Sequence, residues 1–136
     1  MTRVCLDSTV LVAAFAARGL CSDLLRLVLT EYHLVVPEVV AEEVRRVLET
    51  KLRLTPAALS TVEAVLDRCE IIPKGRDLSP IHVRDPDDER VLADALAGSA
   101  EILVSGDRDL LSVAEGSPIP ILSPRAFMTL ARGGAR

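Results

Sequence analysis

Asp7 directly follows the apolar run RVCL (3–6), and Asp107 follows ILV (102–104) after only Ser105 and Gly106. Two further acids stand on helical patterns. In 38–50 the apolar positions Val39, Val40, Val44, Val47 and Leu48 form an arc, and steps of about 100° per residue place Glu43 inside it, with Glu42 and Glu49 toward solvent. In DPDDERVLADAL (85–96) the buried face is Val91, Leu92, Ala95 and Leu96, and Asp88 falls within it. Glu89 falls nearer the edge, while Asp87 and Asp94 point away. A carboxylate on a buried face costs free energy unless its charge is satisfied. Four of them brought together would repel and raise one another's pKa values, and a divalent cation removes that problem. An all-oxygen set without His or Cys favours Mg²⁺ or Mn²⁺ over Zn²⁺.

Each acid alone has an ordinary structural account. Asp7 could cap the helix beginning at 8–10, Asp107 could make an Asx-type turn or cap the next helix, and Asp88 could complete a capping box with Asp85. Glu43 could form a buried pair with an Arg. His33, at a strand start, and His82, in a loop, read as incidental. Cys5, Cys21 and Cys69 are scattered without a CxxC pair and read as reduced core thiols.

The positioning elements follow from hydrophobic periodicity. Short apolar runs with little alternation, at 3–6, 33–36, 70–72, 102–104 and 119–122, predict strands covered on both faces. Helical patterns lie between them at 10–17, 21–30, 38–50, 56–69, 86–97 and 108–114, with a last one at 124–131. Thr55-Pro56, Asp85-Pro86 and Ser123-Pro124 each offer an N-cap with Pro at the first helical position. Alternation of this kind implies an α/β chain: a central, mostly parallel sheet of about five strands with helices on both faces. Ligands then gather beyond the carboxyl ends of the strands, where Asp7 and Asp107 share a rim if their strands are neighbours. The stretch 73–85 reads as a surface loop, and the chain as one domain over 1–136 with a frayed tail from about 132.

Composition narrows the function classes. With 136 residues, 49% hydrophobic and 26% charged, the chain can bury a core and is not disordered. Aromatics at 2% argue against base-stacking platforms. No run reaches the roughly 18 apolar residues of a membrane span, and Asp7 interrupts the apolar N-terminus, so the expected location is cytoplasmic. A net charge of −4 does not advertise nucleic-acid binding by bulk electrostatics, yet carboxylates that hold divalent cations can still engage phosphates.

Taken together, these residues resemble the PIN-domain family, in particular its VapC-like toxins. LDSTVLVAAF is similar to the family's opening strand with its aspartate, here Asp7. EEVRRVL resembles the helix carrying the family's glutamate, matching Glu43. DPDDERVLADALAGSAEILVSGDRDLL resembles the third and fourth motifs, matching Asp88 and Asp107, with Asp109 as an accessory acid. IPILSPRAF is similar to the ending of one subgroup of PIN toxins. The likeness spans about Val4 to Phe127. The chain departs from the pattern at Thr9, where Asn is usual, and at Ser105, where Thr is usual; Ser105 keeps the hydroxyl. The resemblance implies a three-layer α/β/α (5'-nuclease-like) fold. It further implies hydrolysis of RNA phosphodiesters with Mg²⁺ or Mn²⁺ held by Asp7, Glu43, Asp88 and Asp107, Asp109 as a further ligand, and Ser105 and Thr9 in support. Its expected partners are an RNA substrate, a cognate antitoxin protein and a second copy in a homodimer, with no membrane.

Other rim-aspartate folds fit less well. A receiver domain needs a lysine after its last strand, and the only lysines are Lys51 and Lys74. A HAD-type phosphatase needs Asp-x-Asp where Asp7-Ser8-Thr9 stands, and a dinucleotide enzyme needs a Gly-rich first turn. The alternative from another class is a PIN-like module that binds RNA or protein without cutting. Choice of RNA would lie with surface arginines such as Arg18, Arg45, Arg84 and Arg108.

Overall fold

The structure, a computed structural model, describes residues 1–134. Its strands are β1 (Arg3–Leu6), β2 (His33–Pro37), β3 (Glu70–Ile72), β4 (Ile102–Val104) and β5 (Ile121–Leu122). They form one sheet in the order β3-β2-β1-β4-β5, every pair parallel. The helices are α1 (Ser8–Ala16), α2 (Leu20–Glu31), α3 (Glu38–Arg46), α4 (Pro56–Arg68), α5 (Pro86–Ala97), α6 (Arg108–Leu111) and α7 (Pro124–Gly134).

The winding explains where a site can form. From β1 the chain moves outward to β2 and β3 through α1–α4, then returns across the sheet to β4 and β5 through α5 and α6. Right-handed crossovers put helices from the two directions on opposite faces, giving three α/β/α layers. The direction reverses between β1 and β4, whose carboxyl ends diverge into different layers. That is the crevice where open α/β sheets bind ligands. Register ties it together: Leu6 pairs with Val104 and Cys5 with Leu103. The core on both faces is aliphatic, apart from Phe127, which is fully buried with its ring centroid 5.4 Å from that of Tyr32. The buried Cys5 thiol is pushed well above its usual pKa by burial, and all three cysteines are free.

The differences from the expected elements have local causes. α1 begins at Ser8, because Asp7 caps it by accepting from the Val10 amide at 3.2 Å. The expected helix 38–50 is α-helical only to Arg46 and widens into a π turn over Val47–Lys51. There Thr50 Oγ1 donates to the Arg46 carbonyl at 2.6 Å, a back-bond that loosens a helical turn. β5 starts at Ile121 rather than 119, since Pro120 has no amide to give the ladder and only accepts, from Leu103 N at 3.0 Å. α6 stops at Leu111, followed by a 3₁₀ turn at Ala114–Gly116. The tail expected to fray from about 132 is helical through Gly134, and 135–136 lie outside the described residues. Among the described residues no helix is long and apolar enough to cross a membrane.

Candidate active site

Asp7 is the anchor, only 3% exposed at the end of β1. Its Oδ1 accepts from Thr9 Oγ1 at 2.6 Å and from Val10 N; its Oδ2 accepts from Ser105 Oγ. Burial pushes its pKa up; the three donors oppose that shift only in part, and they fix the direction of the carboxylate. The two supporting hydroxyls tie the ends of β1 and β4 together, Ser105 from the β4 side and Thr9 from the β1 side. Ser105 Oγ accepts from Asp107 N at 2.9 Å, and Thr9 Oγ1 accepts from Gly106 N at 2.9 Å. Thr9 thus binds the aspartate and the opposite strand end at once, a bridging duty that a hydroxyl performs with one donor and one acceptor.

Removing the Ser105 hydroxyl breaks this link in a buried place. We expect Ser105→Ala to lower stability by about 1–3 kcal/mol, because Asp7 Oδ2 and Asp107 N both lose their partner. Ser105→Thr should stay near wild type, and chemical denaturation of the three proteins measures the difference.

Asp107 caps α6, accepting from Asp109 N at 2.8 Å. Asp85 caps α5, accepting from Asp87 N at 2.9 Å. Asp88 caps nothing. Its Oδ2 is buried without a hydrogen-bond partner, and its pKa is pushed up to about 7, first by burial and then by Asp107, Asp85 and Asp7. A capping box with Asp85 is therefore not formed. A cleft of about 550 Å³ opens in front of these acids, lined by α3 on one wall, the start of α5 on the other, and Ser8, Thr9 and Asp107.

Glu43 corrects the helical count. It is not in the buried arc: its side chain is 47% exposed. The buried stripe of α3 and the turn after it is Val40, Ala41, Val44 and Leu48, whereas Val39 and Val47 are half-buried flank positions. Glu43 shares that flank and projects into the cleft, where it accepts from Ser8 Oγ and lies 3.7 Å from Arg46. Glu42, expected toward solvent, also lines the cleft and pairs with Lys74 Nζ at 2.9 Å. Asp94, expected to point away, is fully buried. It pairs with Arg90 at 2.7 Å and accepts from Gly75 N at 3.2 Å, so a one-turn pair on α5 has been folded inward beneath the loop after β3.

Asp7, Asp88 and Asp107 come together at the switch point, with Glu43 at the cleft wall through Ser8. The tightest set is different. Single carboxylate oxygens of Asp85, Asp88 and Asp109 lie within 4.8 Å of one another, while Asp109 is also held by Arg84 Nε at 3.1 Å. Asp85 was missed as a site residue because its capping role accounts for it completely in sequence. The only available signal was its place in the acid-rich start of α5, three residues before Asp88. His33 bonds Glu70 at 2.8 Å at the other edge of the sheet, and His82 stands beside Glu89 at 3.3 Å; neither lines the cleft.

A family model described as PIN domain matches residues 3–109, which contain β1 through β4 and all the acids described above. The chain belongs to the PIN-domain family. This PIN domain's fold is shared with several solved structures. One is a chain of VapBC2 from Rickettsia felis, crystallised bound to a DNA fragment from their promoter (TM-score 0.63, 18% identity, 89% of this chain and 97% of that one). Another is a domain of a functionally unknown protein from Methanocaldococcus jannaschii (TM-score 0.57, 15% identity, 89% of each chain). A third is a Pyrobaculum aerophilum protein (TM-score 0.55, 14% identity, 99% of this chain and 97% of that one). A search of curated proteins finds no match.

Proposed function

We propose that this PIN domain, taken as one unit over 1–136, is a divalent-metal-dependent endoribonuclease and the toxin of a toxin–antitoxin pair. The observation that carries the reading is Asp88 Oδ2, a buried oxygen with no donor, set among Asp7, Asp85 and Asp107. A cluster of this kind is unfavourable for the protein alone and fits a hard cation with oxygen ligands. Asp7, Glu43, Asp88 and Asp107 would hold Mg²⁺ or Mn²⁺, with Asp109 and Asp85 adjacent. Bound there, the metal supplies an activated water and stabilises charge on the attacked phosphate and the leaving oxygen. The chain's own groups set the geometry. Ser105, Thr9 and the Val10 amide fix Asp7, and the Asp109 amide and Ser105 fix Asp107. No serine, cysteine or histidine nucleophile is required.

The toxin assignment is supported by membership of the family and by the likeness in fold to a chain of the VapBC2 assembly. It expects an antitoxin protein and a second copy of this chain as partners, and a cytoplasmic location. Incubation of the purified protein with labelled single-stranded RNA tests the chemistry. Cleavage in Mg²⁺ or Mn²⁺, abolished by EDTA, is the expected result. RNA bound but uncut at saturating Mn²⁺ would instead establish the binding-module alternative.

Glu43→Gln should lower activity about tenfold or more, and Glu42→Gln by less than about threefold. Both residues line the cleft, but Glu42 is already neutralised by Lys74, whereas Glu43 sits beside Ser8, next to Asp7. A direct or ordering contact to the metal is worth factors of this size. Cleavage rates for the two variants at saturating Mn²⁺ provide the comparison, and equal small losses would remove Glu43 from the ligand set.

A further inference from the structure

Two cations line the acidic cleft from its two walls: Arg46 on α3 and Arg90 on α5. Arg90 is anchored from behind. Its Nε and Nη2 both approach Asp94 Oδ1, at 3.0 and 2.7 Å, and the Gly75 amide donates to the same oxygen. The loop backbone lies so close that a Cβ on Gly75 would stand 2.9 Å from that oxygen. Nε and Nη2 are used in this way and Nη2 is itself buried, which leaves Nη1 as the group for a ligand. Arg46 is held only loosely, 3.7 Å from Glu43.

The other arginines expected to select RNA are occupied or lie elsewhere. Arg45 forks onto Glu63 with bonds of 2.8 and 3.1 Å, Arg84 is engaged by Asp109, and neither Arg18 nor Arg108 lines the cleft. A fully buried aspartate with one oxygen lacking any partner does little for stability, since a buried ion pair is often no better than packed apolar groups. Its evident effect is to hold a cation at the cleft wall. Planar guanidinium groups match phosphate oxygens in pairs.

We propose that Arg46 and Arg90 grip backbone phosphates of single-stranded RNA on either side of the one that is cut, with Asp94 and the Gly75 amide positioning Arg90. This rests on the nuclease reading above. The test is steady-state cleavage of a single-stranded RNA oligonucleotide at saturating Mn²⁺ across a range of monovalent salt. Arg46→Gln, and Arg90→Gln made together with Asp94→Asn so that no buried charge is stranded, should each raise KM about tenfold with kcat within about threefold. Each should also reduce the slope of log(kcat/KM) against log[salt] by about 0.7, the loss of one phosphate contact on a single strand. Arg26→Gln, an exposed change on α2, should leave both quantities unchanged. Unchanged KM and slope, a loss confined to kcat, or an equal slope change in Arg26→Gln would each overturn the clamp while leaving the nuclease standing. Wild-type protein that leaves the RNA intact would overturn the nuclease reading and the clamp with it.

Discussion

Asp7→Asn and Asp88→Asn are each expected to lower RNA cleavage by more than about a hundredfold, beyond the 10–100-fold typical of losing an outer partner of a metal site. Neither should unfold the protein. Asn is as good an N-cap as Asp, so Asp7→Asn keeps the bond from Val10 N that starts α1. Asp88 caps nothing and carries an oxygen that no donor satisfies, so its charge is a net cost in the metal-free protein. Its folded-state pKa, pushed up to about 7 by burial and then by Asp107, Asp85 and Asp7, lies above the ordinary value near 4 of an unfolded chain. The folded state therefore binds the extra proton across that interval. The favourable contribution is complete below about pH 4 and is lost as pH rises through about 7. In EDTA, Asp88→Asn should melt several degrees above wild type at pH 8, and the two should converge toward pH 5. Thermal unfolding at both pH values measures this. Near-wild-type cleavage by either variant would remove the substituted residue from the site, and an Asp88→Asn protein less stable than wild type at pH 8 would contradict the cost assigned to the Asp88 charge.

The sequence carried most of the fold because nearly every element announces itself locally. The strands are short aliphatic runs covered on both faces, and three of the helices open with a cap followed by Pro. Asp7 and Asp107 were placed at one rim by connectivity alone, since Asp7 follows β1 directly, Asp107 follows β4 after two residues, and β1 pairs with β4. The helix acids were harder. A helical count fixes the spacing of side chains but not the line between buried and wet, and over nine residues of α3 the stripe could be drawn through Val39 or through Val40. The structure draws it through Val40, which moves Glu43 from the core to the wall of the cleft. For Asp94 the count failed for another reason. Its burial depends on the loop at Gly75 folding over α5, a contact 19 residues away that no local pattern encodes. Asp85 shows a third limit, because an ordinary capping role hid its approach to Asp88 and Asp109.

Divalent cations are expected to raise the melting temperature, and this is the largest effect anticipated without any substrate. Carboxylates that repel one another in the empty cleft gain a counter-charge on binding, and a ligand that binds only the folded state stabilises it by RT ln(1 + [L]/Kd). At a hundred times Kd that amounts to about 2.7 kcal/mol, or a shift of roughly 5–15 °C for a chain of this size. Mn²⁺ should act at lower concentration than Mg²⁺, which dehydrates reluctantly. The shift should vanish in the Asp7→Asn, Asp88→Asn double variant, whereas a general ionic-strength effect would survive there, because the net charge changes by only two. At pH 5 the shift in wild type should shrink, since Asp88 is then largely protonated and a cation must displace that proton. Thermal unfolding of both proteins across a divalent titration at constant ionic strength decides the matter. Equal shifts in wild type and double variant would place the cation elsewhere on the surface, and the acid cluster at the switch point would lose its claim to be a metal centre.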